Sequence, residues 1–177
     1  MLKRWRIILV VLVIAWVFAL SFFKWRPNQD WDNSPDDLAP VRLSESSRFI
    51  LNTSGKFVLF SLLPYVDSTN NPAERFHDYP ILGRVEIQSE KLKDDLVAAM
   101  YKGITESETG IVPACFNPRH GIRAESGTNW IELVICFECA QIQAYTADSF
   151  DGANTTKSPT ETFNRVLREA GVPISPE

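Results

Sequence analysis

Residues 112–145 read VPACFNPRHGIRAESGTNWIELVICFECAQIQAY, which is two extended segments on either side of Glu125-Ser126-Gly127. A glycine at the tip of such a connection is typical of a β-hairpin. In the second segment every second residue is apolar, and these residues would share one face of a sheet: Ile131, Leu133, Ile135, Phe137 and Cys139.

The strand at the centre of the sheet is predicted outside this hairpin. Residues 56–63, KFVLFSLL, form an apolar run between Gly55 and Pro64. Its length and composition predict a strand that is buried on both faces. Residues 81–88 predict another strand, and the segments 64–80 and 146–157 are rich in turn residues and predict loops.

Two helices are predicted from their capping residues. Ser89 is a suitable N-cap for a helix over residues 90–102, with Gly103 as its C-cap. Ser158 and Pro159 are typical of the N-cap and first turn of a second helix. The element order predicts an α+β fold, a small, largely antiparallel sheet with two helices packed on it, preceded by a transmembrane helix.

The transmembrane helix is predicted at residues 7–23, which are apolar except for Ser21. A helix of this length rises about 25 Å, close to the thickness of a hydrocarbon core. Trp5 and Trp25 flank it among basic residues, as is typical of the two membrane interfaces. We therefore expect residues 1–27 to be an anchor, 28–47 a Pro-, Asp- and Ser-rich linker, and 48–177 the folded domain.

Basic residues orient the predicted anchor. Lys3, Arg4, Arg6 and the α-amino group outweigh Lys24 and Arg26, so the positive-inside rule places the N-terminus in the cytoplasm. Residues 28–177 would then be periplasmic or extracellular. The alternative is a secreted protein, released when a signal peptide is cleaved after Ala19.

Charge argues against a nucleic-acid partner. The first 27 residues carry five basic residues and no acidic ones, which leaves 13 basic and 22 acidic residues in the rest of the chain. A net charge of about −9 repels phosphate, whereas nucleic-acid binding depends on clustered Lys and Arg.

The residues that could carry chemistry are three cysteines and a histidine, spaced Cys115-x4-His120-x15-Cys136-x2-Cys139. Three thiolates and one imidazole complete a tetrahedral zinc site, and Cys-x2-Cys is the usual spacing for half of one. Zinc, in a structural or binding role, is therefore one hypothesis for these four residues.

A disulfide is the second hypothesis. Hairpin pairing places Cys115 opposite Glu138 or Cys139, so a Cys115–Cys139 bond could form outside the cytoplasm and leave Cys136 as a buried thiol. Reduced cysteines that only pack are the third. A thiol-redox enzyme using Cys136 and Cys139 is disfavoured, because such a motif normally opens a helix and here lies in a predicted strand.

Four charged residues flank the cysteines. Arg119 and Arg123 could bind an anion together with His120, and Glu132 and Glu138 are their natural partners across the hairpin. Ordinary cross-strand ion pairs are the alternative interpretation.

The two cysteine motifs also carry a resemblance. Cys115-Phe116-Asn117-Pro118-Arg119-His120 and Cys136-Phe137-Glu138-Cys139, within residues 56–173, resemble a family of bacterial membrane-anchored or exported proteins of no known activity. The resemblance implies that the two segments act together. The sequence thus predicts a non-enzymatic, membrane-anchored envelope domain, which could contact another envelope protein through or beside its Cys/His hairpin.

Overall fold

The computed structural model describes residues 39–65 and 74–176, all within one compact unit that spans Pro35–Glu177. The predicted anchor at residues 7–23 and most of the predicted linker lie outside the described residues. Within these described ranges, no helix is both long and apolar enough to cross a membrane.

The unit is built on a seven-stranded antiparallel sheet with strand order β2-β3-β1-β4-β5-β6-β7. Its strands are β1 (Lys56–Leu62), β2 (Arg75–Phe76), β3 (Tyr79–Glu86), β4 (His120–Ser126), β5 (Asn129–Cys136), β6 (Gln141–Thr146) and β7 (Phe150–Asn154). The described helices are α1 (Glu45–Thr53), α2 (Glu90–Glu106) and α3 (Thr160–Glu169). The predicted α+β class is confirmed, with three more strands and one more helix than predicted.

Strand β1 lies between β3 and β4, in the middle of the sheet, as its apolar sequence predicts. Phe57 and Leu59 join the main core beneath the helices, whereas Phe60 and Leu62 join a smaller apolar cluster on the opposite face. Burying each such side chain contributes about 1.5–3 kcal/mol. The strand therefore contributes to both apolar clusters.

The predicted hairpin is formed by β4 and β5. Strand pairing continues through Ser126 and Asn129, so the turn is Gly127-Thr128 and lies slightly later than the sequence suggests. Gly127 has φ +61°, a conformation that glycine adopts without steric cost. This turn fixes which residues of β4 and β5 face each other.

The predicted continuous strand over residues 128–145 is wrong after Cys136. Residues 137–140 form a tight turn, in which Ala140 has φ +55°, and the chain reverses into β6. Phe137 and Cys139 continue the alternation of β5 into the turn, and the apolar positions change from odd to even numbers only at Ala140. This turn places the Cys-x2-Cys segment at the end of the β5–β6 hairpin.

Two strands lie in segments predicted as loops. β7, with sequence FDGAN, pairs with β6, and the two-residue β2 pairs with the start of β3. β7 contains Asp, Gly and Asn, which are common in turns, and β2 is too short to show a pattern of its own. Their strand conformation comes from backbone pairing with a neighbouring strand, which local composition does not report.

Helix α1 begins within the predicted linker. Ser44 is its N-cap, and the Asp151 carboxylate accepts hydrogen bonds from the Ser44 amide, at 2.6 Å, and the Ser47 hydroxyl, at 3.1 Å. Leu43 and Leu51 are buried in the core. The described fold thus extends back to at least residue 43, several residues before the predicted boundary.

Helix α2 has the predicted N-cap, since Ser89 Oγ accepts a hydrogen bond from the Leu92 amide at 3.3 Å. The predicted C-cap at Gly103 is wrong, because the helix continues to Glu106. A Cβ at residue 103 would lie 2.7 Å from both Pro159 Cγ and Thr155 Oγ1. Glycine is therefore needed there for close packing.

Helix α3 begins at Thr160, and its N-cap is Pro159 with no side-chain capping bond. The predicted cap, Ser158, instead donates its hydroxyl hydrogen to Glu106 Oε2 at 2.6 Å. The capping prediction is wrong by one residue, because a tertiary contact with α2 takes up the Ser158 hydroxyl. Phe163, Val166 and Leu167 form the apolar face of α3 and are buried.

Candidate functional site

Two connections bring the three cysteines together at one end of the sheet. Cys136 ends β5 and Cys139 lies in the turn to β6; their sulfurs are joined in a disulfide across a Cα–Cα distance of 5.2 Å. Cys115, in the loop before β4, places its Sγ 2.8 Å from Cys139 Sγ. Cys139 is therefore the central sulfur, in contact with both others.

The predicted proximity of Cys115 and Cys139 is present, but the predicted Cys115–Cys139 bond with a free Cys136 is wrong for this structure, because Cys139 is bonded to Cys136 and Cys115 is the free thiol. Ladder pairing of β4 and β5 stops at His120, opposite Ile135. Cys115 reaches Cys139 through the irregular loop that precedes β4. Gln141 Nε2 holds this loop by donating to the carbonyls of Pro113 at 2.8 Å and Cys115 at 3.0 Å.

Backbone amides point at two of the sulfurs. The Cys139 amide donates to Cys136 Sγ at 3.1 Å, and the Asn117 amide donates to Cys139 Sγ at 3.4 Å. Such N–H groups stabilise negative charge on sulfur when the disulfide is opened. The left-handed conformation of Ala140 directly after Cys139 turns the chain back into β6.

Access to the sulfurs is unequal. Cys136 and Cys139 are 1% and 0% exposed, whereas Cys115 is an exposed free thiol. A reagent from solution therefore reaches Cys115 first. The two sulfurs of the disulfide are protected by the surrounding fold.

His120 is placed against Asn164 of α3. Its Nε2 is hydrogen-bonded to Asn164 Oδ1 at 2.8 Å, and its ring packs against Phe137 and Phe163. Burial lowers the pKa of His120 to about 4, an effect that the Asn164 hydrogen bond partly opposes and the Arg119 charge reinforces. The imidazole is therefore neutral at physiological pH.

The predicted four-ligand zinc set is not assembled as a metal centre in this structure. Among the residues that the structure describes, no group of three or more His, Cys, Asp or Glu side chains is arranged to hold a metal ion. Two of the predicted ligands, Cys136 and Cys139, are joined to each other, and His120 Nε2 is engaged by Asn164.

The four predicted charged residues form two separate ion pairs. Arg119 contacts the Glu138 carboxylate, and its Nε also donates to the Pro176 carbonyl at 2.8 Å. Arg123 in β4 donates a hydrogen bond of 3.0 Å to Glu132 in the neighbouring strand β5. Each arginine thus already has a carboxylate partner, which is the arrangement of cross-strand ion pairs rather than of an open anion site.

Glu132 has a further neighbour that the sequence does not indicate. His77 Nε2 lies 3.0 Å from Glu132 Oε2, although the two atoms lack the alignment of a hydrogen bond. The His77 ring stacks on Tyr145 at a centroid distance of 4.1 Å. These contacts hold the β2–β3 turn over the face of the sheet opposite the helices.

A small cavity of about 70 Å³ lies beside the cysteine turn, and Arg119, His120, Glu138 and Ser175 are among the residues that line it. Ser175 Oγ is buried and has no hydrogen-bond partner. Asn164, Gln141 and Ser175 also contribute to this site, and the sequence does not predict them. Asn164 in α3 and Ser175 in the C-terminal segment lie far in sequence from the motif. Gln141 follows Cys139 by two residues, but its partners are in the loop that carries Cys115, which no local pattern indicates.

Comparisons with known proteins do not assign a family. No family model, curated protein or solved structure matched the chain. Function is therefore inferred from the residues of the cysteine site and from the sequence of the N-terminal segment.

Proposed function

We propose that the chain is a membrane-anchored extracytoplasmic domain with a structural and binding role, and that its cysteines form a three-sulfur thiol–disulfide centre. The observation that carries the proposal is the position of Cys139, whose sulfur is bonded to Cys136 and lies 2.8 Å from Cys115. The disulfide bond of Cys139 can then be exchanged between Cys136 and Cys115. Zinc on the Cys/His set is the hypothesis that this arrangement favours less.

The exchange is balanced within the chain. The Cys115 thiolate attacks Cys139 Sγ, a Cys115–Cys139 bond forms, and the Cys136–Cys139 bond breaks. Its electron pair goes to Cys136 Sγ, which takes up the proton that Cys115 released. The number of disulfides is unchanged, so the step needs no oxidant or reductant.

The amides described above support the step chemically. The Cys139 amide lies 3.1 Å from Cys136 Sγ, the atom that receives the electron pair. A hydrogen bond to a leaving thiolate stabilises it relative to a sulfur that has no donor. The buried Cys136 would remain in its place and could attack Cys139 in the reverse direction.

A catalytic oxidoreductase that uses Cys136 and Cys139 is the alternative, and two features argue against it. The motif lies in a turn between strands, without the helix N-terminus that lowers the thiol pKa in such enzymes. Its two sulfurs are almost fully buried, whereas the nucleophile of a catalyst must reach its substrate. Cys115 is the exposed sulfur of the cluster, and it lies outside the Cys-x2-Cys motif.

Location supports the disulfide chemistry. Residues 7–23 and their Trp and basic flanks predict an anchor that exports the domain, and disulfides persist in oxidising compartments. Secretion after signal cleavage would place the domain in the same compartment. In either case the cluster would be oxidised when it reaches its site.

Counting free thiols in three full-length variants tests the proposal. Oxidised wild type should carry one free thiol, and Cys115→Ser and Cys136→Ser should each carry none, because Cys139 keeps one partner in both. Cys139→Ser should carry two, and complete reduction of the wild type to three free thiols is the control. Two free thiols in oxidised Cys136→Ser would disprove exchange, and three in oxidised wild type would disprove the disulfide.

A further inference from the structure

The cysteine cluster has a second chemical state, which follows from the proposed function and goes beyond it. An external dithiol can reduce the Cys136–Cys139 bond by supplying two electrons and two protons and becoming a disulfide itself. This leaves three thiols in one place, with Cys139 between the other two. We propose that this reduced cluster binds one thiophilic metal ion through Cys115, Cys136 and Cys139, and that Cu(I) is preferred to Zn²⁺.

Backbone amides around the sulfurs would stabilise thiolate ligands in the reduced cluster. Amide hydrogens reach Cys136 Sγ and Cys139 Sγ, and each offsets part of the charge that a thiolate ligand carries. The left-handed Ala140 lets the chain turn tightly directly after the second cysteine. Gln141 Nε2 donates to the Cys115 carbonyl, which keeps Cys115 beside the other two cysteines.

Binding requires the sulfurs to separate. A metal about 2.3 Å from each of three sulfurs holds them roughly 4 Å apart. The Cys115 and Cys139 sulfurs are 2.8 Å apart here, so they must move by about 1 Å, and reduction removes the bond that prevents a similar movement at Cys136. Cys115 lies in an irregular loop at the surface, which can adjust more easily than a strand.

The ligand set determines the choice of metal. Three thiolates without another protein donor suit a soft cation of low coordination number, which among common biological metals is Cu(I). Zinc in structural sites is almost always four-coordinate. Two candidates for a fourth ligand are already engaged, His120 by Asn164 and Glu138 by Arg119.

Titration of the reduced full-length protein with Cu(I), in detergent and without oxygen, tests the assignment. Against bicinchoninate as competing chelator, we expect one Cu(I) per chain and protection of Cys115, Cys136 and Cys139 from alkylation. Each Cys→Ser variant should lose more than about tenfold in affinity. His120→Gln, a matched control, should bind Cu(I) like the wild type, and a parallel titration should show weaker binding of Zn²⁺.

Several results would overturn the metal site. They are failure of the reduced wild type to bind Cu(I), alkylation of all three cysteines at an unchanged rate, a loss in His120→Gln equal to that in a cysteine variant, or tighter binding of Zn²⁺. The alkylation measurement uses the wild type alone, so it remains decisive if a cysteine variant fails to fold. The free-thiol count of the oxidised protein is measured without metal, so failure here would leave the proposed thiol–disulfide centre standing.

Discussion

At the scale of single residues, His120 makes the stability of the domain depend on pH. Burial lowers its pKa from 6.5 to about 4, so between these values the unfolded chain takes up a proton that the folded chain does not. The free energy of unfolding should therefore fall as pH decreases from about 6.5 to 4, by roughly 2–3 kcal/mol from this residue. Urea denaturation across this pH range measures it.

His120→Gln is the control for this pH effect. Glutamine keeps an amide that can hydrogen-bond to Asn164 but does not titrate, so the contribution of residue 120 should disappear. The difference in unfolding free energy between the wild type and the variant should shrink or change sign as pH decreases. An equal pH dependence in both proteins would show that His120 is not held neutral.

Gly103 lies in a closely packed position and Gly55 in an open one, so alanine substitutions at these two residues should have different effects on stability. A methyl group at Gly103 would meet Pro159 and Thr155 at 2.7 Å, whereas a methyl group at Gly55 would meet nothing within 4 Å. We expect Gly103→Ala to lower the free energy of unfolding by about 1–3 kcal/mol, although alanine is the better helix former. Gly55→Ala should change it by less than about 0.5 kcal/mol. Equal values from denaturant unfolding would contradict the packing argument.

At the scale of elements, the two turns that flank β5 each contain a residue with positive φ, and substitutions at these residues should change stability in opposite directions. Ala140 has φ +55° and Gly127 has φ +61°, the region that costs L-residues about 1–2 kcal/mol. Ala140→Gly should raise the midpoint of thermal unfolding of the reduced protein, and Gly127→Ala should lower it. Measuring both in the reduced state separates the backbone effect from that of the disulfide. A lower midpoint in Ala140→Gly would contradict the turn geometry.

An element could be predicted from the sequence when the residues that determine its structure lie within the element itself. The central strand β1, the β4–β5 hairpin and the start of α2 are set by local features, namely an apolar run, a glycine turn and a capping serine. Strand β7 and helix α1 depend on tertiary contacts, pairing with β6 and the Asp151 carboxylate. Such contacts leave no periodic signal in the segment itself.

The candidate site shows the same division. Hairpin pairing predicts that Cys115 lies near Cys139, and the contact is present, although the loop before β4 makes it and the strand ladder does not. The role of His120 could not be predicted, because its partner Asn164 is 44 residues away on another element. The tight turn at residues 137–140 is not predicted, because Phe137 and Cys139 continue the alternation of β5. The only local signal is the change of the apolar positions from odd to even numbers at Ala140.

At the scale of the whole molecule, the predicted anchor has its own test. A reporter that is active only outside the cytoplasm, fused after Glu177, should be active and remain with the membrane fraction after high-salt washing. Replacing two leucines or isoleucines within residues 7–23 by arginine should prevent export, because each charge costs about 2.5–3.5 kcal/mol at the centre of a membrane helix. A released, shortened product would instead indicate signal cleavage, and an inactive reporter would contradict the orientation.

The most direct measurement of the three-sulfur centre is the position of the free thiol in the native protein. Intact cells expressing the full-length chain would be treated with a membrane-permeant alkylating agent, and peptides mapped without reduction. We expect one alkylated cysteine per chain, shared between Cys115 and Cys136, with Cys139 always in a disulfide. Alkylation of Cys139, or of all three cysteines in one chain, would contradict a disulfide that exchanges around Cys139.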